Sequence, residues 1–157
     1  MSVRGDRLRR HRERDRITGR IEPLLTGVEG WLYIEEAVEL YETVRSHPAA
    51  DPVLVVEIGS WKGRSTIALA QAVRDRGHPL GRVVAIDPHT GSREHHERFG
   101  AVDTFDEFLR NIDRAGLTDL VEPMRTTSLD ASGQLVGSSV DVLFIDGSHE
   151  YEDVRYR

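Results

Sequence analysis

Three short apolar runs, each carrying a carboxylate at its far end, constrain this chain more than any other feature. Val53 to Ile58 (VLVVEI) contains Glu57, Arg82 to Ile86 (RVVAI) leads into Asp87, and Val140 to Ile145 (VDVLFI) leads into Asp146. These runs are too continuous for strands with one wet face and read as strands covered on both. Leu120 to Arg125 reads as a weaker strand, third in chain order, which makes Val140 to Ile145 the fourth. Between the strands the period changes to that of a helix. Ser65 to Arg76 places Ile67, Leu69, Ala70 and Val73 on an apolar side, with Gly77 just past its end. Thr104 to Ala115 carries Phe105, Phe108, Leu109 and Ile112, with Thr104 and Glu107 spaced as a capping box and Gly116 as the stop. Ahead of the first strand, residues 31–45 read as an amphipathic helix striped by Trp31, Ile34, Ala37, Val38, Tyr41 and Val44.

Strands alternating with helices predict an α/β fold: a parallel sheet, right-handed crossovers and helices on both faces. Ligands of such sheets bind outside the carboxyl ends of the strands. Glu57, Asp87 and Asp146 all fall at that end. Three carboxylates are therefore expected on one rim.

Composition narrows the class. A chain of 157 residues with 31% charged and 38% hydrophobic content suits a single folded domain. No apolar run approaches the roughly 18 residues of a membrane span, and arginines occupy the start where a signal peptide needs an apolar core. Cytoplasm is the expected location. Cysteine is absent, which excludes disulfides, thiolate metal sites and cysteine nucleophiles. Charge is uneven. Residues 1–20 hold eight Arg against Asp6, Glu13 and Asp15, a net +5, which leaves −11 for the rest of a chain totalling −6. A basic arm can meet nucleic acid or anionic lipid, but no aromatics interleave these arginines and the body is acidic. The expectation is a disordered, solvated arm over residues 1–20, with neither nucleic acid nor membrane as partner. Residues 21–50 then form a helical segment, and residues 51–157 the sheet domain.

Glu57-Ile-Gly-Ser-Trp-Lys-Gly-Arg-Ser-Thr66 joins the first strand to its helix. Gly59 and Gly63 allow a tight turn and close approach of a ligand. The spacing is not the Gly-x-Gly-x-x-Gly of dinucleotide sites, which disfavours a nicotinamide-dependent oxidoreductase. Lys62 precedes Gly63, so this is no phosphate loop either. An acid before the turn suits a cationic or hydroxyl-rich ligand, although the same pattern also serves a tight turn that binds nothing.

VVEIGSWKGRST, VVAIDPHTG and VDVLFIDGSHEYEDVR, preceded by Gly30-Trp31-Leu32, resemble class I S-adenosylmethionine-dependent methyltransferases. The branch is the one holding macrocin-type O-methyltransferases and cephalosporin-hydroxylase-like proteins, and the likeness covers roughly residues 28–157. It implies a Rossmann-like, three-layer α/β/α fold with strand order 3-2-1-4. It also implies S-adenosylmethionine as cofactor. Glu57, Gly59, Ser60 and Gly63 would then line its methionine part, with Trp61 a further cofactor contact and Ser65 and Thr66 closing the loop. Asp87 would accept from both ribose hydroxyls, and Ser128 and Leu129 would flank the adenine. Asp87 also reads as a strand-end carboxylate opening an Asp-Pro turn, and Trp61 either packs over the loop or stacks an acceptor.

A hydroxyl acceptor must lose a proton, to a general base or with help from a metal. The resemblance implies Asp146 as cofactor contact, catalytic residue and ligand to Mg²⁺, the second candidate cofactor, with His149 as the base. Asp146 bonding its own turn at Gly147, and His149 capping a helix, are the structural alternatives. His89 lies where it could meet substrate, whereas the loop holding His95 and His96 reads as solvent-exposed. The expected activity is O-methylation of a sugar hydroxyl or small natural product, in a possible homo-oligomer. The alternative is a non-catalytic cofactor- or partner-binding remnant. The family's sheet has seven strands and four are legible here, so the chain reads as a C-terminally truncated fragment whose fourth strand leaves an exposed apolar edge.

Overall fold

The computed structural model describes residues 3–48, 52–91, 96–97 and 100–147. Its elements in chain order are α1 (Val3–Leu25), α2 (Ile34–Ser46), β1 (Leu54–Ile58), α3 (Arg64–Arg76), β2 (Arg82–Ile86), α4 (Phe105–Arg114), β3 (Val121–Met124), α5 (Ser128–Ser132) and β4 (Val142–Ile145). The strands form one parallel sheet, as their alternation with helices predicts, in the order β3-β2-β1-β4 that the family resemblance implies. Pro123 is tolerated in β3 because that strand lies at an edge.

Side-chain alternation sorts the core into two faces. Val55, Val83 and Ala85 point to one face. There they meet Ile21 and Leu25 of α1, Val38 and Val44 of α2, Ile67 and Leu69 of α3, and Phe108 and Ile112 of α4. Leu54, Val56, Val84 and Ile86 point to the other, where Ala131 of α5 and the half-buried Leu135 and Met124 cover them. Both faces carry helical cover, but unequally. The β3-to-β4 connection contributes only the five-residue α5. Leu143 and Ile145, the register partners of Val56 and Ile58, therefore remain 55% and 45% exposed. The apolar edge expected from the sequence is present among the described residues.

Three expectations need correction. The N-terminal arm is helical rather than disordered: α1 runs from Val3, and Ile17, Ile21 and Leu25 at four-residue spacing bury its last turns. Part of its charge is met within the chain. Arg14 pairs with Glu39 at 2.5 Å and with Glu42 at 3.4 Å, and Arg20 pairs with Asp75. Apolar anchoring carries the helix here, since exposed ion pairs contribute little.

Helix α2 begins at Ile34, where the Glu36 carboxylate accepts from the Tyr33 amide at 2.8 Å. Trp31 thus falls ahead of the helix and off its stripe, 68% exposed. Thr104, third, forms no capping box. It is the N-cap residue of α4, but its hydroxyl is engaged elsewhere, and Glu107 pairs with Lys62 at 3.1 Å. No described helix is long and apolar enough to cross a membrane.

Candidate functional site

Register decides which residues meet. Ile58 pairs with Ile86 on one side and with Ile145 on the other. Gly59, Asp87 and Asp146 therefore leave the sheet side by side. Main-chain bonds extend the ladder past the strands: Gly59 N–H to Ile86 O at 2.9 Å, Asp146 N–H to Ile58 O at 2.9 Å, and Asp87 N–H to Met124 O at 3.1 Å. Gly59 is required at this rim. Its φ is +90°, and a Cβ there would lie 2.5 Å from the Asp146 carbonyl oxygen and 2.6 Å from Gly147.

The three carboxylates gather but differ in setting. Glu57 is fully buried, its side chain turned toward α3, where the Thr66 hydroxyl donates to Oε2 at 2.5 Å. Burial pushes its pKa up to about 7; hydrogen bonds from Ser65 and Thr66 oppose this, and the charges of Asp87 and Asp146 add to it. Asp87 is half-buried and Asp146 exposed. Both Asp87 oxygens accept main-chain N–H groups, Oδ2 from Trp61 at 2.7 Å and Oδ1 from His89 at 2.6 Å. Each oxygen keeps a lone pair free for a further donor.

The glycine loop is braced from three sides. Gly63, at φ +92°, starts α3 and lies under Phe108 and Ile112, so α4 packs directly on the turn. Asn111 Nδ2–H donates to Lys62 O at 2.8 Å, while Lys62 Nζ reaches Glu29 at 2.5 Å and Glu107 at 3.1 Å. Arg64 donates to three carbonyls of the preceding segment: Leu32 at 2.7 Å, Val28 at 2.9 Å and Leu25 at 3.1 Å. The Trp61 ring packs on Trp31 with centroids 5.7 Å apart. Sequence reasoning missed Arg64, Asn111 and Thr104 as parts of this brace. No local pattern marks them, because their partners lie 15 to 49 positions away in sequence.

Ser65 and Thr66 are buried in the first turn of α3 beside Glu57. Ser128 and Leu129 open α5 directly after β3, Ser128 half-buried and Leu129 61% exposed. There the Thr127 hydroxyl caps the helix by accepting from Asp130 N–H at 3.2 Å. His89 does not face solvent; it is 1% exposed. His96 is exposed, whereas His95 and the base expected at His149 lie outside the described residues.

Chemically, the rim offers a cradle that a Cβ would fill, a carboxylate with lone pairs to spare, and buried polar atoms awaiting partners. Glu57 Oε1 and Ser60 Oγ have no hydrogen-bond partner among the described residues. This donor and acceptor set fits a ligand bearing an ammonium and a vicinal diol. Magnesium fits less well. Among the described residues no three His, Cys, Asp or Glu side chains come close enough to hold a metal ion together, and Asp146 alone gives one carboxylate where Mg²⁺ needs an octahedron of oxygens.

A parallel 3-2-1-4 sheet with a glycine turn and strand-end carboxylates at one rim defines a Rossmann-like α/β protein. A family model described as a methyltransferase domain matches residues 56–157, well over half of the chain. The chain belongs to that family, of class I, S-adenosylmethionine-dependent methyltransferase fold. Among solved structures it is similar to cofactor-bound Rv0187 from MTB, at 26% identity and a TM-score of 0.56 over 85% of this chain and 52% of that one. It is also similar to an O-methyltransferase from Bacillus cereus in complex with SAH, at 26% identity and a TM-score of 0.57, over 82% of this chain and 54% of that one. TomG, an O-methyltransferase from Streptomyces achromogenes, shares the fold at 22% identity and a TM-score of 0.56, with 83% and 53% covered. The chain spans about half the length of these proteins.

Proposed function

We propose that this chain binds S-adenosylmethionine at the sheet rim and forms the cofactor-binding half of an O-methyltransferase. The observation that carries the reading is Asp87. Its carboxylate sits at the end of β2 with each oxygen fixed by one main-chain N–H, beside a glycine turn that no side chain could replace. A fixed carboxylate with two remaining lone pairs is what a ribose 2′,3′-diol requires. Glu57, Ser60 and the Gly59–Gly63 turn suit the methionine end, whose ammonium gives the buried acid a partner. Ser128 and Leu129 suit the adenine, one by hydrogen bonding and the other by apolar contact.

When bound, the cofactor supplies an electrophilic methyl on a sulfonium. The protein's task is then alignment of the acceptor oxygen and removal of its proton. Asp146 stands exposed at the rim, placed to accept that proton. A cavity of about 570 Å³ opens beside the loop, lined in part by Trp31, Tyr33, Leu25 and Arg64. The Arg64 guanidinium is occupied by three carbonyls, so the exposed Trp31 and Tyr33 rings set the cavity's preference. They favour an uncharged ring, aryl or sugar, over an anion.

Calorimetric titration with S-adenosylmethionine, S-adenosylhomocysteine and NAD tests the reading. Binding of the first two and not the third is expected. Asp87→Asn keeps the side chain's size and removes its charge, and it should weaken S-adenosylhomocysteine about tenfold, or about 1.4 kcal/mol. NAD binding, or an Asp87→Asn variant with unchanged affinity, would refute the assignment.

A further inference from the structure

Two residues other than glycine adopt positive φ among the described residues, Trp61 at +47° and His89 at +59°. Each such conformation is strained unless its surroundings hold it. Both lie on one closed path of hydrogen bonds. Trp61 N–H and His89 N–H each donate to an oxygen of Asp87. From the other side, the Thr104 hydroxyl meets His89 Nδ1 at 2.9 Å and donates to the Trp61 carbonyl over a long 3.4 Å. Thr104 N–H in turn donates to the His89 carbonyl at 3.1 Å. The path runs Asp87, Trp61, Thr104, His89 and back to Asp87. It ties the loop after β1, the loop after β2 and the start of α4 together.

We infer that His89, through Thr104, is a positioning residue that fixes the Asp87 carboxylate and the glycine loop relative to each other. Resting on the cofactor reading above, this assigns a role to a histidine sealed from solvent behind the carboxylate. Its burial supports this. The ring is wedged between Phe105 and Phe108, both with centroids at 5.1 Å, and is 1% exposed. The path also demands one tautomer. For the Thr104 hydroxyl to donate to the Trp61 carbonyl and close the 2.9 Å contact with His89 at the same time, the imidazole proton must sit on Nδ1. Nε2 has no partner among the described residues. Burial also lowers the pKa of the ring, which keeps it neutral.

The test uses the whole chain labelled with ¹⁵N. In ligand-free protein at pH 7 the His89 ring should show the neutral Nδ1–H tautomer; an Nε2–H tautomer would overturn the inference. Thr104→Val preserves shape and removes the hydroxyl. It should speed hydrogen exchange at the Trp61 and His89 amides about tenfold while leaving the Val56 and Leu69 amides unchanged. Thr104→Ser should restore slow exchange. Against S-adenosylhomocysteine, Thr104→Val should weaken binding five- to tenfold in the parent but less than twofold in an Asp87→Asn background, since it acts through that carboxylate. Unchanged amides, or two substitutions whose effects multiply independently, would overturn the inference. If the amides respond and the parent binds no S-adenosylhomocysteine, the positioning role stands and the cofactor reading fails.

Discussion

Gly59→Ala is expected to cost the protein on the order of 4 kcal/mol of stability. Two penalties add: about 1–3 kcal/mol for holding a non-glycine residue at φ +90°, and a similar amount for pushing a methyl into main chain. The second is unavoidable because the obstructing atoms are the Asp146 carbonyl and the Gly147 backbone, at 2.5 to 2.6 Å, and not the flexible end of a side chain. Relief requires β4 to move away from β1 at the rim, which breaks the Asp146 N–H to Ile58 O bond. Gly77→Ala provides the control. Gly77 has a φ of +84°, but a Cβ added there would meet nothing within 4 Å, so that variant incurs the strain alone. Denaturant titration of both should show the Gly59 variant losing about twice as much as the Gly77 variant. Equal losses would mean that β1 and β4 do not converge as described.

The second large effect is a pH dependence centred on Glu57. Its folded pKa of about 7 lies above the ordinary 4.5, so the folded chain holds a proton there that the unfolded chain has already released. Stability from this group is fully present below pH 4.5, declines between 4.5 and 7, and is lost above 7. Glu57→Gln cannot titrate. The stability difference between variant and parent should therefore shift in the variant's favour by on the order of 3 kcal/mol from about pH 4.5 to about pH 8. A difference that stays flat across that range would show that Glu57 is solvated or already paired. The same proton reports on the ligand. An ammonium arriving beside Glu57 stabilises its anion, so S-adenosylmethionine binding near pH 7 should release protons. Repeating the titration in buffers of different ionisation enthalpy measures that release, and Glu57→Gln should abolish it.

These expectations separate what was legible from what was not. The strand order came from the family resemblance. The strands themselves and the gathering of Gly59, Asp87 and Asp146 were readable because each rests on a local signal: a buried apolar run, then a carboxylate or a glycine where the chain must turn. Boundaries agree within a few residues for the same reason. The helical state of residues 3–20 was not readable, since the decisive contacts are long-range. Ile17 and Ile21 gain their burial only when the sheet exists to receive them. Thr104 shows the limit most clearly. Its spacing from Glu107 matches a capping box, yet its hydroxyl serves His89 and Trp61, 15 and 43 positions away in sequence.

The amino-acid order alone determined the parallel α/β architecture and the chemistry available at its rim, because hydrophobic period and turn residues act over a few neighbours. Only the tertiary structure decided how that chemistry is divided. Glu57 is sealed away and Asp146 left open, while His89 is committed to holding Asp87. Burial and hydrogen-bond partnership depend on which distant segments pack together, and no local spacing encodes that.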